Sequence, residues 1–191
     1  MIKGVKAVID FVMDILETVV FIGSMFIVVY LFILTPNQVK GASMEPNFHT
    51  GDYILTSRVT YKFRKIERGD VVVLKSPKNP DIEYIKRVIA LPGEKLLISG
   101  NGDVSVNDRL INEGYIAEHT NLWDGGCIKA DETYVVPEGE VFVMGDNRPR
   151  SSDSREFCSV PIQSLIGQVF YRYFPVNKVG VISNPLPKSM R

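Results

Sequence analysis

One stretch of this chain is too long and too apolar to pass for ordinary protein interior. From Val19 to Leu34 it reads VVFIGSMFIVVYLFIL, sixteen residues without a charge. Carried back to Ile15 it makes twenty, with one carboxylate, Glu17, included. Twenty helical residues cover roughly 30 Å, the hydrocarbon thickness of a bilayer, whereas apolar runs of about 10–14 residues are usual for a buried core helix. A cleaved leader would carry a shorter apolar stretch closed by small residues at the cut. This run closes with Phe32-Ile33-Leu34-Thr35-Pro36. The expectation is an uncleaved transmembrane anchor over residues 15–35, preceded by a short segment, residues 1–14.

Orientation follows the lysines and arginines nearest the span. Lys3 and Lys6 precede it, while on the far side Lys40 comes first and Arg58 next. Asp10, Asp14 and Glu17 lie closer but count for little. This predicts a single-pass protein of the cell membrane, with residues 1–14 cytoplasmic and everything beyond the span on the extracytoplasmic face. The lipid bilayer is thus its first expected partner.

The chain of 191 residues as a whole has a globular make-up, 45% hydrophobic and 23% charged, so a largely disordered chain is excluded. Its 22 basic and 22 acidic side chains cancel, which removes the electrostatic footprint of a nucleic-acid binder. Two histidines leave little from which to build a zinc site, and two cysteines cannot make a disulfide scaffold. After Pro36, short runs rich in β-branched residues alternate with Gly, Pro, Asn and Asp. They predict strands over 53–56, 71–75, 83–91, 95–98, 104–106, 133–136, 141–144 and 168–174. No later run is periodic enough for a substantial helix, beyond one turn at 161–166.

Three segments of this β-rich region carry chemistry. Ser43 lies in Gly41-Ala42-Ser43-Met44-Glu45-Pro46, where small residues let a substrate backbone come close and the serine N–H can face a developing oxyanion. Lys86 lies in the strand Glu83–Leu91, where alternation puts it on one face with Tyr84 and Val88, and Arg87 on the other with Ile85 and Ile89. A lysine on an apolar face either snorkels outward or is desolvated, and desolvation lowers its pKa towards that of a usable base. The third segment, Gly145 to Arg155, packs three arginines, two aspartates and three serines behind an apolar strand. Such a loop can supply buried acid–base pairs and orienting hydroxyls, or be merely solvated.

Taken together, GASMEP, RGDVVVL, YIKRVIALPGE and GDNRPRSSDSR, in that order behind a membrane span, resemble the boxes of the bacterial type I signal peptidases. The resemblance implies a mostly β fold: a transmembrane helix, a catalytic core over 36–95 and 136–191, and a smaller β insert over 96–135. It implies a membrane-bound serine endopeptidase that removes signal peptides from exported preproteins with a serine–lysine dyad, without cofactor or metal. Ser43 matches the nucleophile and Lys86 the general base. Ser151 matches a serine whose hydroxyl orients the lysine amine, Asp153 and Arg155 a bracing pair, and Asp146 and Arg148 support for the same box. Gly41, Met44, Tyr84 and Ile85 match positions at the substrate cleft, where the substrate pairs as an added strand and shallow pockets select Ala-x-Ala-like sites.

Two positions depart from that pattern. Gly41 stands where some members carry a serine whose hydroxyl completes the oxyanion hole. Cys158 stands where glycine is expected; a bond to Cys127 is chemically allowed outside the membrane, and the sequence leaves the pairing open, since nothing in it shows whether their Cα atoms come within ~7 Å. Two rival readings remain. A Ser-His-Asp triad would recruit His49 or His119, although His49 lies in a turn-like segment that suits a solvated ring. A catalytically inactive membrane chaperone or assembly factor on the same fold would dispense with Ser43 or Lys86, and both are present.

Overall fold

The computed structural model describes residues 2–190. Met1 and Arg191, end points of the expected segments, lie outside the described residues, and so does the side chain of Lys3. Helix α1 (Ile2–Phe32) is continuous, and from Gly4 to Tyr30 it is long and apolar enough to cross a membrane. Its apolar side chains are bare, Phe21 and Phe26 being 67% and 68% exposed. The helix begins before residue 15 and ends short of residue 35, the bounds expected for the anchor. Val5, Val8, Phe11 and Val12 continue the apolar helix backwards, and the helix stops at Phe32 because the chain is already a strand at Leu34.

That strand, β1 (Leu34–Gln38), is followed by β2 (Tyr53–Ser57), the short helix α2 (Thr60–Phe63), β3 (Val71–Lys75), β4 (Glu83–Ala90), β5 (Lys95–Ile98), β6 (Val104–Val106) and β7 (Arg109–Leu110). Then come β8 (Thr133–Val135), β9 (Glu140–Met144), the one-turn helix α3 (Ser154–Phe157), β10 (Val160–Pro161), β11 (Leu165–Phe174) and β12 (Gly180–Val181). A 3₁₀ turn occupies Ile162–Ser164, where one helical turn is expected. Each expected strand is present. β1, β7, β10 and β12 are additional, three of them only two residues long. β1 escapes the sequence reading because Pro36 marks a break; at the edge of a sheet, proline is tolerated.

The strands form two antiparallel sheets. The larger runs β1-β2-β11-β3-β4-β9-β10, with β12 on β11, and the smaller runs β7-β6-β5-β8. β3 and β4 lie inside the larger sheet with both faces covered. Val71 and Val73 join one apolar cluster with Val39, Met44, Phe48 and Ile54, whereas Val72 and Leu74 join another with Val88, Val141 and Val143. Burial on both faces explains why β3 reads as a continuous apolar run rather than an alternating one. A third cluster, around Leu96, Ile98, Val104, Phe142 and Met144, fastens the smaller sheet to β9. The fold is mostly β behind an apolar helix.

Tight approaches set the larger sheet's shape. At Gly167, beside an irregularity in the β11–β3 register, a Cβ would stand 2.2 Å from the Ser57 carbonyl oxygen. Strand β2 could not lie where it does if residue 167 had a side chain. Cys127 and Cys158 are bonded, with Cα atoms 5.3 Å apart, which decides a pairing that the sequence leaves open. The segment before Cys127 is drawn onto α3 by a backbone bond from Cys127 N–H to the Arg155 carbonyl (2.8 Å), a contact between residues too distant in sequence to foresee.

Candidate active site

Ser43 stands on the loop that joins β1 to β2. Backbone bonds from Val39 to Asp52 and from Gly51 to Val39 continue the two strands past their ends and pinch the base of this loop. Met44 and Phe48, each 1% exposed, fill its interior, and the Arg172 guanidinium covers the Phe48 ring at 4.8 Å. Gly41 takes a positive φ of 94° and is clasped by Thr50, which accepts from its N–H (3.0 Å) and donates to its carbonyl (3.1 Å). Gly41 is therefore a loop former, not a wall of the groove. Met44 is next to Ser43 in the chain, but its side chain turns inward and packs in the core with Val39, Phe48 and Ile54.

Lys86 reaches this loop from β4. Its Nζ donates to Ser43 Oγ at 2.8 Å and lies 5.0 Å from the centre of the Tyr84 ring. The side chain is buried, and loss of water lowers its pKa from 10.5 to about 8. The carboxylates of Asp153 and Asp146 pull the other way, and the Arg155 charge assists the lowering. A lysine so placed can exchange a proton with the serine hydroxyl near neutral pH. The Ser43 hydroxyl is met by Lys86, while His49 stands 3.3 Å from Lys178 Nζ and His119 is exposed, so no histidine takes the part a triad would need.

The segment Gly145–Arg155 forms the frame around this pair. Asp153 accepts from the Gly145 N–H (3.0 Å), caps α3 at the Arg155 N–H (3.2 Å), and receives Arg155 Nε and Nη2 at 2.9 and 2.8 Å. Arg155 also donates to the Arg148 and Asn121 carbonyls and lies 4.4 Å from the centre of the Trp123 ring. Arg148 is fully buried, donating to Gly145 O (3.0 Å) and to Glu113 Oε2 (2.9 Å), with a further bond to Thr120. Asp146 receives Arg87 twice, at 2.8 and 2.6 Å, and Asn47 at 2.8 Å. Arg87, Asn47 and Glu113 are parts that sequence reasoning missed. A signal for Arg87 was available: a second cation in an apolar strand needs a buried carboxylate.

The frame holds Ser43 directly as well, because Asn147 N–H donates to the Ser43 carbonyl at 3.0 Å. A Cβ on Gly145 would fall 2.4 Å from that carbonyl oxygen and 2.3 Å from Ser151 Oγ. Ser151 is thus brought beside Ser43, and its buried Oγ has no hydrogen-bond partner among the described residues. The expected bond from Ser151 to the lysine amine is not made in this structure; the amine bonds Ser43 instead. From this point a groove of about 580 Å³ runs along the start of β4, lined among others by Val39, Ser43, Ile54, Tyr84, Ile85 and Lys86.

The family described as signal peptidase, peptidase S26, matches residues 12–174. Signal peptidase IB of Staphylococcus aureus strain COL is 32% identical over 186 residues, which is 90% of this chain and 96% of that protein. The probable signal peptidase I-2 of Synechocystis sp. strain PCC 6803 is 34% identical over 158 residues, covering 80% of this chain and 69% of that one. A crystal structure of a signal peptidase I from Enterococcus faecalis V583 superposes with a TM-score of 0.45 at 33% identity, over 55% of this chain and 97% of that one.

The frame makes a prediction about stability. Arg87 and Asp146 are 4% and 0% exposed, so Asp146→Ala leaves a buried guanidinium unpaired and should lower stability by about 3–5 kcal/mol. The Lys78–Glu156 pair is 48% and 41% exposed, and Glu156→Ala should change stability by less than about 1 kcal/mol. Chemical denaturation of the detergent-solubilised variants compares them, and equal losses would contradict this reading of the frame.

Proposed function

The chain belongs to the peptidase S26 family of signal peptidases, membrane-anchored serine endopeptidases that cleave signal peptides, and we propose that Ser43 and Lys86 are its catalytic dyad. The observation that carries this reading is the 2.8 Å bond between a buried lysine amine and the serine hydroxyl. In its neutral form the amine takes the hydroxyl proton as Ser43 Oγ attacks the scissile carbonyl carbon. The Ser43 N–H donates to the oxyanion that develops. Lys86, now an ammonium, gives its proton to the leaving amine as the peptide bond breaks. A water then enters, loses a proton to Lys86 and attacks the acyl carbon, and Lys86 returns that proton to Ser43 Oγ as the acyl group leaves. Gly41 has no hydroxyl to offer the oxyanion. Asp153, Arg155, Asp146 and Arg148 act through others as positioning residues. Ser151 would do so by turning its free hydroxyl to the amine.

The same reading assigns residues 36–95 and 136–191 to a catalytic core and 96–135 to an insert. It also puts both on the extracytoplasmic face, where a signal peptide emerges from the bilayer. Protease added to intact cells should digest the region beyond α1 and spare residues 1–14; the reverse pattern would invert the topology. The substrate adds as a strand along Glu83–Ile85, and its first and third side chains before the cut meet the apolar floor of the groove. Ala-x-Ala-like sites fit that shallow floor. A precursor with phenylalanine immediately before the cut should be cleaved at least about tenfold more slowly than one with alanine, and equal rates would refute the pocket.

The dyad is tested by substitution and by pH together. Ser43→Ala and Lys86→Ala should each lower kcat/KM on a precursor peptide by several orders of magnitude, without adding in the double variant. Lys86→Arg should be equally inactive, because a guanidinium does not give up its proton. The lysine works as a base only when neutral, so kcat/KM should rise with pH through about 8 and lie about a hundredfold below its plateau at about pH 6. Substantial activity in Lys86→Ala, or a basic limb near 10, would show that the base lies elsewhere.

A further inference from the structure

The groove beside Ser43 has walls from two strands that are not neighbours in the sheet. β1 and β4 are separated by β2, β11 and β3, yet residues 36–40 and 81–86 face each other across the groove. Its floor is apolar: Val39, Ile54 and Val73 are almost fully buried there and Ile85 packs on them. Its rim is charged, and unevenly so. Lys40 stands near the Ser43 end, and Asp81 and Glu83 stand at the other.

At the acidic end a side-chain bond bridges the two walls. Thr56, wholly buried, donates its hydroxyl proton to Asn37 Oδ1 at 2.8 Å. With that oxygen occupied, the amide nitrogen of Asn37 faces the opposite strand and donates to Glu83 Oε2 at 3.1 Å. This bond spans the space that an added strand would enter. A substrate lying between β1 and β4 at this level displaces the Asn37 amide, and the exposed Glu83 carboxylate is then open to a donor from the substrate.

The position of that donor follows from strand geometry. Glu83 precedes Lys86 by three residues, about 10 Å along β4, and an extended peptide covers the same distance in three residues. With the first residue before the cut at Ser43 and Lys86, the fourth lies at Glu83. If side chains one and three face the floor, alternation turns side chain four to the rim.

Resting on the proposed role of Ser43 and on strand-like substrate binding, we propose that Glu83 selects the charge of the substrate residue four positions before the cut, favouring a cation and disfavouring a carboxylate. A lysine or arginine there replaces the Asn37 donor and neutralises the acidic rim. A glutamate meets Glu83 and Asp81 with like charge.

The test is a series of precursor peptides, identical except for Lys, Gln or Glu at the fourth position before the cut, given to the full-length protein in detergent. Cleavage of the Gln peptide by the wild type and not by Ser43→Ala checks the nucleophile independently of the charge series. The expected order of kcat/KM is Lys over Gln over Glu, with roughly fivefold between the extremes at low salt. That spread should shrink in about 0.5 M salt, since a rim charge is screened. Glu83→Gln should collapse it and Glu83→Lys should reverse it, while the same three residues at the second position should not follow Glu83. Equal rates for the three peptides with wild-type protein, or an unchanged order in Glu83→Gln, would overturn the proposal. If the Glu83 variants fail to fold, the wild-type series at low and high salt still decides: a spread indifferent to salt counts against a charge contact.

Discussion

An amine gives up its proton near neutral pH where water is kept from solvating the ammonium. In this protein that condition is met at Lys86, whose strand is hydrogen-bonded to β3 on one side and β9 on the other. Lowering its pKa from 10.5 to about 8 disfavours the charged form by roughly 3 kcal/mol. Asp146 and Asp153 work against this, since their charges favour an ammonium. Neither is free to pair with it, because Arg87 engages the first carboxylate through two bonds and Arg155 the second. The arginines therefore keep the lysine from becoming one half of an ordinary buried salt bridge.

The same arginines tie the site to distant parts of the chain. Arg148 runs from the Gly145 carbonyl to Glu113 and Thr120 in the residues that accompany the smaller sheet. Arg155 reaches Asn121 and Trp123, next to the Cys127–Cys158 bond. Gly145 lies where these lines converge, with no room for a methyl between Ser43 and Ser151. The loop bearing Ser43 is thus fixed from below by its own core residues and from the side by the frame.

The parts legible in the sequence were those with a local signature. The apolar run of α1, the β-branched strands and the polar box after β9 each show in a few consecutive residues, as do Ser43 and Lys86 once the four boxes are read together. What escaped depends on long-range approach. Met44 sits beside Ser43 in the chain yet belongs to the core, because direction at a turn is set by what packs beneath it. Asn47 and Glu113 look like loop polars until Asp146 and Arg148 are placed next to them. The Cys127–Cys158 bond needs a separation of 31 residues to close over α3, and no local pattern encodes that. β1 was hidden by Pro36, whose missing N–H is harmless at an edge.

The short passage from α1 to β1 also limits where this enzyme can work. Leu34 is already paired with Ser57, and the Ile33 carbonyl accepts from the Arg58 N–H at 3.0 Å, so no slack chain separates the anchor from the sheet. Eleven residues lead from Phe32 to Ser43, which even fully stretched reach no further than about 40 Å. The protein thus carries a measuring rod. With Ser43 as the proposed nucleophile and α1 as the anchor, peptide bonds close to the bilayer surface fall within its compass, and those held beyond about 40 Å do not.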